Sequence, residues 1–447
     1  MRLPEAFVER TKPLLGNEWY EFEQALQEES PVSIRLNPGK NFFLSEERTE
    51  APVPWASDAF YLDSRPSFTL DPLFHAGCYY VQEASSMFLE YYIRKYVKEP
   101  VKALDLCAAP GGKTTHLSSI LPDGSLLTAN EVIRQRANIL SENLTKWGNP
   151  AVIVTGNDPS DIGKLTGFYD LIVADLPCSG EGMFRKDPLA VSEWSVNHVR
   201  LCAERQRRIV AGVWSALKPG GILIYSTCTY NREENENNIN WICSKMGSEQ
   251  LEAPHRFMPH KTRGEGFFIA GLRKNGAMTA GNSREKSFLR RSERSDSGKT
   301  AGIGPSPDLK TWLSSPDDFT IFREGNVFGA IPSVFYPDYR LLKSTLKIVS
   351  AGVTLGEMKG RDMIPAHALA MSSALPEGKF PFWELDKENA LQYLRKEALH
   401  DIPSNFPKGY IIVGYRNHPL GFIKNIGARA NNLYPPEWRI RMHIPSL

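Results

Sequence analysis

Two short apolar runs in this chain each end on a cysteine. Asp170 to Gly180 reads DLIVADLPCSG and closes on Asp175, Pro177 and Cys178, while Gly220 to Thr229 reads GGILIYSTCT and closes on Cys228. A neutral cysteine is only slightly thiolate near pH 7, so a nucleophilic one needs a cation or hydrogen-bond donors around it. Lys113 is the candidate cation. Taken singly, a strand-end cysteine is more often packing than catalysis. Two of them at the carboxyl ends of parallel strands could face one substrate, because ligands of doubly wound sheets bind in that crevice. Pro177 fixes the backbone before Cys178, and Gly180 and Gly182 behind it leave room for a bulky ligand to come close.

The elements that must position these groups alternate from Val101 to about Leu272. VKALDLCAA precedes PGGKTTHLSSIL, SLLTANE precedes RQRANILSENLTKWG, AVIVTGND precedes a loop, and a long segment with HVRLCAERQRRIVAGVWSAL leads into GGILIYSTCT. This is the pattern of βαβ units, hence an α/β, right-handed, doubly wound parallel sheet. The first strand turns through Cys107, Ala108, Ala109, Pro110, Gly111, Gly112 and Lys113 into a helix start, where backbone N–H groups can approach a ligand. A phosphate loop would need glycine at 107, so a nucleotide phosphate is not the best ligand. Glu131, twenty residues past Gly111, ends the second strand, where a carboxylate takes ribose hydroxyls. The combination fits adenosine. Asp158 ends the third strand, and an acid there is as readily a helix cap.

Length and composition set the frame around this unit. A chain of 447 residues, 41% apolar and 23% charged, is globular and long enough for two or three domains. No secretory signal and no membrane-spanning run is evident, so the expected location is the cytoplasm. Six cysteines without a CxxC pair argue for reduced thiols rather than disulfides or a zinc site. Net charge is only +2, with ten acids against six bases in residues 1–50 and six bases against two acids in residues 401–447. A basic C-terminal end points weakly to an anionic partner.

Four regions follow. Residues 1–96 read as a small accessory α+β domain, with helices Glu5 to Leu15 and Glu18 to Gln27, a strand in SIRLNP whose Ile34 and Leu36 alternate with Ser33 and Arg35, and helical spacing from Gln82 to Tyr96. Residues 97–275 form the catalytic unit and 276–306, rich in Gly, Ser, Arg and Lys, a flexible linker. Residues 307–447 read as a compact α+β appendage of short strands with one clear helix, Lys387 to Glu397. There, Lys408, Arg416, Lys424, Arg429, Arg439 and Arg441 are interleaved with Tyr410, Tyr415, Phe422, Tyr434 and Trp438. Cations beside stacking surfaces suit folded RNA, although aromatics in short strands usually form core. In HVRLCAERQRRIVAGVWSAL, Val199, Ile209, Val213 and Trp214 are the core stripe, and Arg200, Arg205, Arg207 and Arg208 read as a solvated face; Cys202 and Cys243 read as packing.

CAAPGGKTTHLS, ANEV, DLPCSGEGMFRKDP, KPGGILIYSTCTYNREENE and GEGFFIAGLRKN together resemble the Nop/Sun family of RNA cytosine-C5 methyltransferases, most of all its bacterial RsmF-type members. The likeness is dense from about residue 75 to 275 and includes SIRLNP. It implies a class I S-adenosylmethionine-dependent methyltransferase with a Rossmann-like sheet and an RNA-binding C-terminal appendage. It further implies that Cys228 attacks C6 of cytosine, Cys178 assists product release, Asp175 hydrogen-bonds the base and Lys113 supports that site. The cofactor would lie over Cys107 to Lys113 and against Asp175, with Glu131 on its ribose and Asp158 near adenine. Leu176 departs from the usual DAPC, and GNDP from the usual Asp-Gly-Arg around Asp158. The implied partner is RNA, 16S ribosomal RNA or the small ribosomal subunit first and transfer RNA second, with no membrane; oligomeric state is not legible. A non-catalytic assembly factor would predict a damaged nucleophile or cofactor loop, and a nucleotide-linked oxidoreductase would need GxGxxG. Both cysteines, Lys113, Asp175 and the Gly-Gly turn are intact, which leaves the assembly factor as the alternative reading, and the absence of GxGxxG disfavours the oxidoreductase.

Overall fold

The computed structural model describes residues 2–42, 49–276, 308–400, 402–427 and 429–442. From residue 277 to 306 the expected linker lies outside the described residues.

Helices Glu5–Leu15 and Trp19–Ala25 precede an antiparallel sheet of β1 (Val32–Leu36), β2 (Thr49–Pro52), β3 (Ala59–Leu62) and β4 (Tyr79–Val81), ordered β2-β3-β1-β4. Ser33 and Arg35 alternate with Ile34 and Leu36 as expected, yet they are equally buried, at 4% and 1% exposure. That second face packs on the start of the helix Gly112–Ile120. Arg35 donates Nη2 to Thr115 Oγ1 at 2.6 Å and Nε to Gln82 Oε1 at 3.1 Å, and its guanidinium stacks 4.7 Å from the Trp147 ring. Burial holds its pKa down, at about 9. Helical spacing read from Gln82 resolves into a short 3-10 turn, Ser85–Phe88, and then the helix Leu89–Tyr96.

β5 (Lys102–Asp105), β6 (Leu126–Asn130), β7 (Val152–Thr155), β8 (Tyr169–Asp175) and β9 (Leu217–Thr227) are parallel neighbours in the order β9-β8-β5-β6-β7. Successive strand residues go to opposite faces, and both faces are apolar because helices cover both. Ala103, Leu171, Val173, Ile222 and Ile224 pack with Leu117, Leu140 and Leu144, while Leu104, Ile172, Leu223 and Tyr225 pack with Val210, Val213 and Ile242. β12 (Phe267–Lys274) runs antiparallel beside β9, and β10 (Ser248–Gln250) and β11 (His255–Phe257) pair with it.

The remaining residues form two four-stranded sheets. One contains β13 (Phe319–Glu324), β14 (Val327–Pro332), β16 (Val353–Lys359) and β17 (Asp362–Pro365); the other contains β18 (Phe382–Glu384), β19 (Gly409–Tyr415), β20 (His418–Asn425) and β21 (Ala430–Asn432). β15 (Ile348–Ala351) belongs to neither. It pairs antiparallel with β7 and so extends the central sheet. The helix Tyr336–Thr345, absent from the sequence reading, packs Tyr339 and Leu342 onto the same sheet. Pro337 lies in its first turn, where proline is compatible with a helix start. The expected helix at Lys387 spans Lys387–Leu394.

Candidate active site at the carboxyl ends of the parallel strands

Register alone brings the two cysteines together. Asp175, the last residue of β8, lies opposite Ser226 of the parallel neighbour β9. The chain therefore leaves both strands side by side, three residues before Cys178 on one and two before Cys228 on the other. Their Sγ atoms are 3.0 Å apart, and both are free thiols. The hydrogen bond to Cys228 and burial push the Cys178 thiol well above its usual range, with the Glu234 charge adding to both. Cys178 is thus held as a protonated partner.

Asp175 and Lys113 close the next side. Lys113 Nζ is 2.8 Å from Asp175 Oδ2, and Ser226 donates its hydroxyl to Asp175 Oδ1 at 2.7 Å. Burial pulls the Lys113 pKa down, but the charge and hydrogen bond of Asp175, with Asp105 and Cys228 behind them, leave it raised. The ammonium stays charged beside the thiol pair.

Lys113 is the second residue of the helix Gly112–Ile120, which follows Gly111 at φ +117, a conformation that glycine alone adopts without strain. Cys107 to Pro110, Gly112 and Lys113 line an open cleft with Asp105 and Asp175. Asp105 was not singled out from the sequence. It is fully buried and one oxygen accepts the Thr114 hydroxyl at 2.7 Å, while the other, Oδ1, has no partner. Burial pushes its pKa up to about 7. At the end of β6, Glu131 accepts the Ile133 N–H at 2.9 Å and faces Arg136 Nη1 at 3.2 Å. Arg136 also donates to the Ala109 carbonyl at 2.8 Å, tying Glu131 to the glycine turn. Two aspartates on the cleft wall, one with a free buried oxygen, and Glu131, linked to the cleft's turn through Arg136, suit a ligand that carries positive charge and a ribose. S-adenosylmethionine has both, so the residues present fit it.

Other sequence expectations separate here. Asp158 is exposed and caps the helix Pro159–Ile162, accepting the Ser160 N–H at 2.9 Å and its hydroxyl at 2.7 Å. Cys107 borders the cleft, and burial pushes its thiol up, away from nucleophilic use. Gly182 admits protein rather than ligand, since a Cβ there would lie 2.4 Å from the Gly266 carbonyl oxygen and 3.0 Å from that of Cys228. Leu176 is core at 3% exposure. Cys202 and Val199 are buried on the helix Val196–Val213, whereas Arg200, Arg205 and Arg208 are exposed. Of the C-terminal aromatics, Phe422 and Tyr434 are core, leaving Tyr410, Tyr415 and Trp438 partly accessible beside exposed Lys408, Arg416, Arg439 and Arg441. Lys424 pairs with Asp362 at 3.2 Å.

Comparison with known proteins gives this geometry its family. Residues 96–273 match the family model of the 16S rRNA methyltransferase RsmB/F, residues 3–84 that of the N-terminal domain of the 16S rRNA methyltransferase RsmF, and residues 380–440 that of the methyltransferase RsmF PUA domain. Ribosomal RNA small subunit methyltransferase F of Shewanella amazonensis is 31% identical over 414 residues, spanning 86% of this chain and 85% of that protein. The chain belongs to the RsmB/F methyltransferase family. The Serratia proteamaculans protein of the same name is 28% identical over 97% of this chain and 96% of its own. A methyltransferase homolog from Pyrococcus horikoshii has a solved structure with TM-score 0.53 and 29% identity, covering 61% of this chain and 95% of that one. Another from that organism, NSun6 with SFG, shares the fold at TM-score 0.53 and 22% identity over 61% of this chain and 99% of its own. As an RsmB/F member the chain is an S-adenosylmethionine-dependent RNA methyltransferase acting at cytosine C5. Among the described residues no helix is long and apolar enough to cross a membrane.

Proposed function

We propose that the chain makes 5-methylcytosine in 16S ribosomal RNA through a transient bond between Cys228 and C6 of the target base. The observation that carries this reading is the pair of thiols at 3.0 Å beside the Lys113–Asp175 pair at 2.8 Å. Carbon 5 of cytosine is a poor nucleophile until a thiolate adds at C6, which makes C5 enamine-like. Cys228 is the attacking thiolate. Lys113 supplies the nearby cation, and Asp175, pinned by Ser226, hydrogen-bonds the base edge and steadies its protonated form. Bound S-adenosylmethionine supplies an electrophilic methyl group on sulfur. Solvent water takes the C5 proton, and the electrons of that C–H bond restore the ring double bond as the Sγ–C6 bond breaks and its electron pair returns to the Cys228 sulfur. Cys178, held protonated, assists this release.

The cofactor-binding set is Cys107 to Lys113, Glu131 toward the ribose and Asp175, with Asp158 at the rim of the third strand end. Asp105, with its free oxygen, joins them. The target cytosine must leave its stack to reach the thiols, so an unpaired or flipped base is expected. Residues 1–96 and 307–447 select the RNA around the catalytic unit 97–275, with Tyr410, Tyr415 and Trp438 and their neighbouring cations as the C-terminal contact surface. A ribosomal RNA substrate supports the cytoplasm as the enzyme's location. Names of the relatives support the small-subunit substrate over transfer RNA.

The test incubates wild type, Cys228→Ala and Cys178→Ala with small ribosomal subunits, naked 16S RNA or transfer RNA and labelled S-adenosylmethionine, followed by denaturing gels and bisulfite mapping. Wild type is expected to modify a 16S cytosine, Cys228→Ala to be inactive, and Cys178→Ala to accumulate a protein–RNA adduct. Activity in Cys228→Ala with loss in Cys178→Ala and no adduct would reverse the two roles. Label confined to transfer RNA would move the substrate.

A further inference from the structure

Behind the thiols lie two buried carboxylates that the chemistry above does not use. Glu181 follows Cys178 in the chain, is 1% exposed, and reaches into the loop after Cys228. Its Oε2 accepts the Thr229 hydroxyl at 2.6 Å and the backbone N–H groups of Tyr230 and Asn231 at 2.8 and 2.9 Å. Its Oε1 accepts the Trp194 indole N–H at 3.0 Å. Glu234 follows Cys228, is fully buried, and reaches the other way. Its Oε2 accepts the Ser179 backbone N–H at 3.0 Å and the Gln206 amide at 2.8 Å, and its Oε1 accepts the Asn231 amide at 2.7 Å. Each carboxylate therefore grips the backbone of the loop that carries the other thiol.

Two further contacts cross the same seam. Ser179 Oγ and Thr229 Oγ1 are 3.0 Å apart, and the Gly182 N–H donates to the Cys228 carbonyl at 2.9 Å. Every donor named to Glu181 and Glu234 is neutral. Burying two carboxylates close together on neutral donors is costly, and it raises the pKa of Glu234 by burial first and by the Glu181 charge in addition. An apolar seam would serve packing better; what carboxylates add is direction, because each fixes several donors at once.

We propose that Glu181 and Glu234 are positioning residues, a reciprocal clasp that sets the separation and mutual aim of Cys178 and Cys228. The proposal rests on the roles given to the two thiols. Neither carboxylate touches the base. Each acts through the loop it holds, and a displacement of about 1 Å between reacting groups can cost about 10²-fold in rate.

The experiment uses the full chain as wild type, Glu181→Gln, Glu234→Gln and Thr229→Val, with Cys178→Ala as the blank. Diamide oxidises neighbouring thiols to a disulfide, and its closure between Cys178 and Cys228 is timed by peptide mapping without RNA present. Rates of methyl transfer are measured in parallel as kcat and KM for S-adenosylmethionine. The wild type should close the disulfide readily. Both Gln variants should close it about tenfold more slowly or worse and lose about 10²-fold in kcat, while KM for the cofactor stays nearly unchanged. Thr229→Val, which removes one hydroxyl from the clasp at nearly constant volume, should shift both readouts the same way by a smaller factor, and it decides the matter if a Gln variant does not fold. Wild-type closure rates in the folded variants overturn the clasp whatever their kcat, as does a wild type that forms no disulfide. Rapid wild-type closure, slow variant closure and no methyl transfer by any form would sink the catalytic roles and leave the clasp standing.

Discussion

Lys113 Nζ lies 2.8 Å from Asp175 Oδ2, although the two side chains come from separate strand ends, one at the turn after β5 and the other at the tip of β8. The parallel pairing of those strands makes them neighbours, and Ser226 on β9 fixes the second carboxylate oxygen. The pair thus presents one charge of each sign to the thiols.

Removing the cation should therefore strike the chemical step. Lys113→Met is expected to lower the single-turnover rate at saturating cofactor by about 10²-fold, the usual effect of losing one group aimed at developing charge. Lys113→Arg should recover only part, because a planar fork does not replace a point charge at this spot. An unchanged single-turnover rate in Lys113→Met would remove the lysine from the site.

Asp105 gives a pH signature. Burial pushes its folded-state pKa up to about 7, well above the value near 4 of an unfolded chain. The folded state thus binds this proton more tightly. The stabilisation is complete below about pH 4 and is lost as pH rises through about 7. Asp105→Asn cannot titrate, so without cofactor its melting temperature should gain on wild type from about pH 4 to pH 7 and run parallel above that. Thermal melts across that range, followed by circular dichroism, check this; parallel behaviour throughout would contradict it.

Cutting the chain at residue 306 tests the central sheet. β15 covers the outer edge of β7, and Lys102 Nζ pairs with Asp338 at 2.7 Å, so the piece 1–306 would expose both an unpaired strand edge and the apolar patch under Tyr339 and Leu342. It should aggregate or lose cofactor affinity. A soluble 1–306 with wild-type affinity for S-adenosylmethionine by calorimetry would show that the C-terminal region is dispensable to the sheet.

Much of the core was legible because its signals are local. Continuous apolar runs such as LIVA and ILIY mark strands buried on both faces, and the glycine turn at Gly111 marks a helix start. The cysteines, Lys113, Asp175 and Glu131 could be chosen because residue type and strand-end position coincide. Asp105 escaped notice since an acid inside LDLCAA carries no spacing signal. Arg35 was placed correctly in alternation, yet nothing local says that its face meets a helix eighty residues away and is buried.

The division has one physical cause. Backbone periodicity, turn chemistry and residue type act over a few positions, and they determined the parallel sheet, the glycine turn and two thiols at strand ends. Register and long-range packing decided the rest: the 3.0 Å between the sulfurs, the carboxylates that cross between their loops, and the entry of Ile348–Ala351 into a sheet nearly two hundred residues earlier. Such contacts depend on which chain segments become neighbours in space, and that is set only when the whole chain has folded.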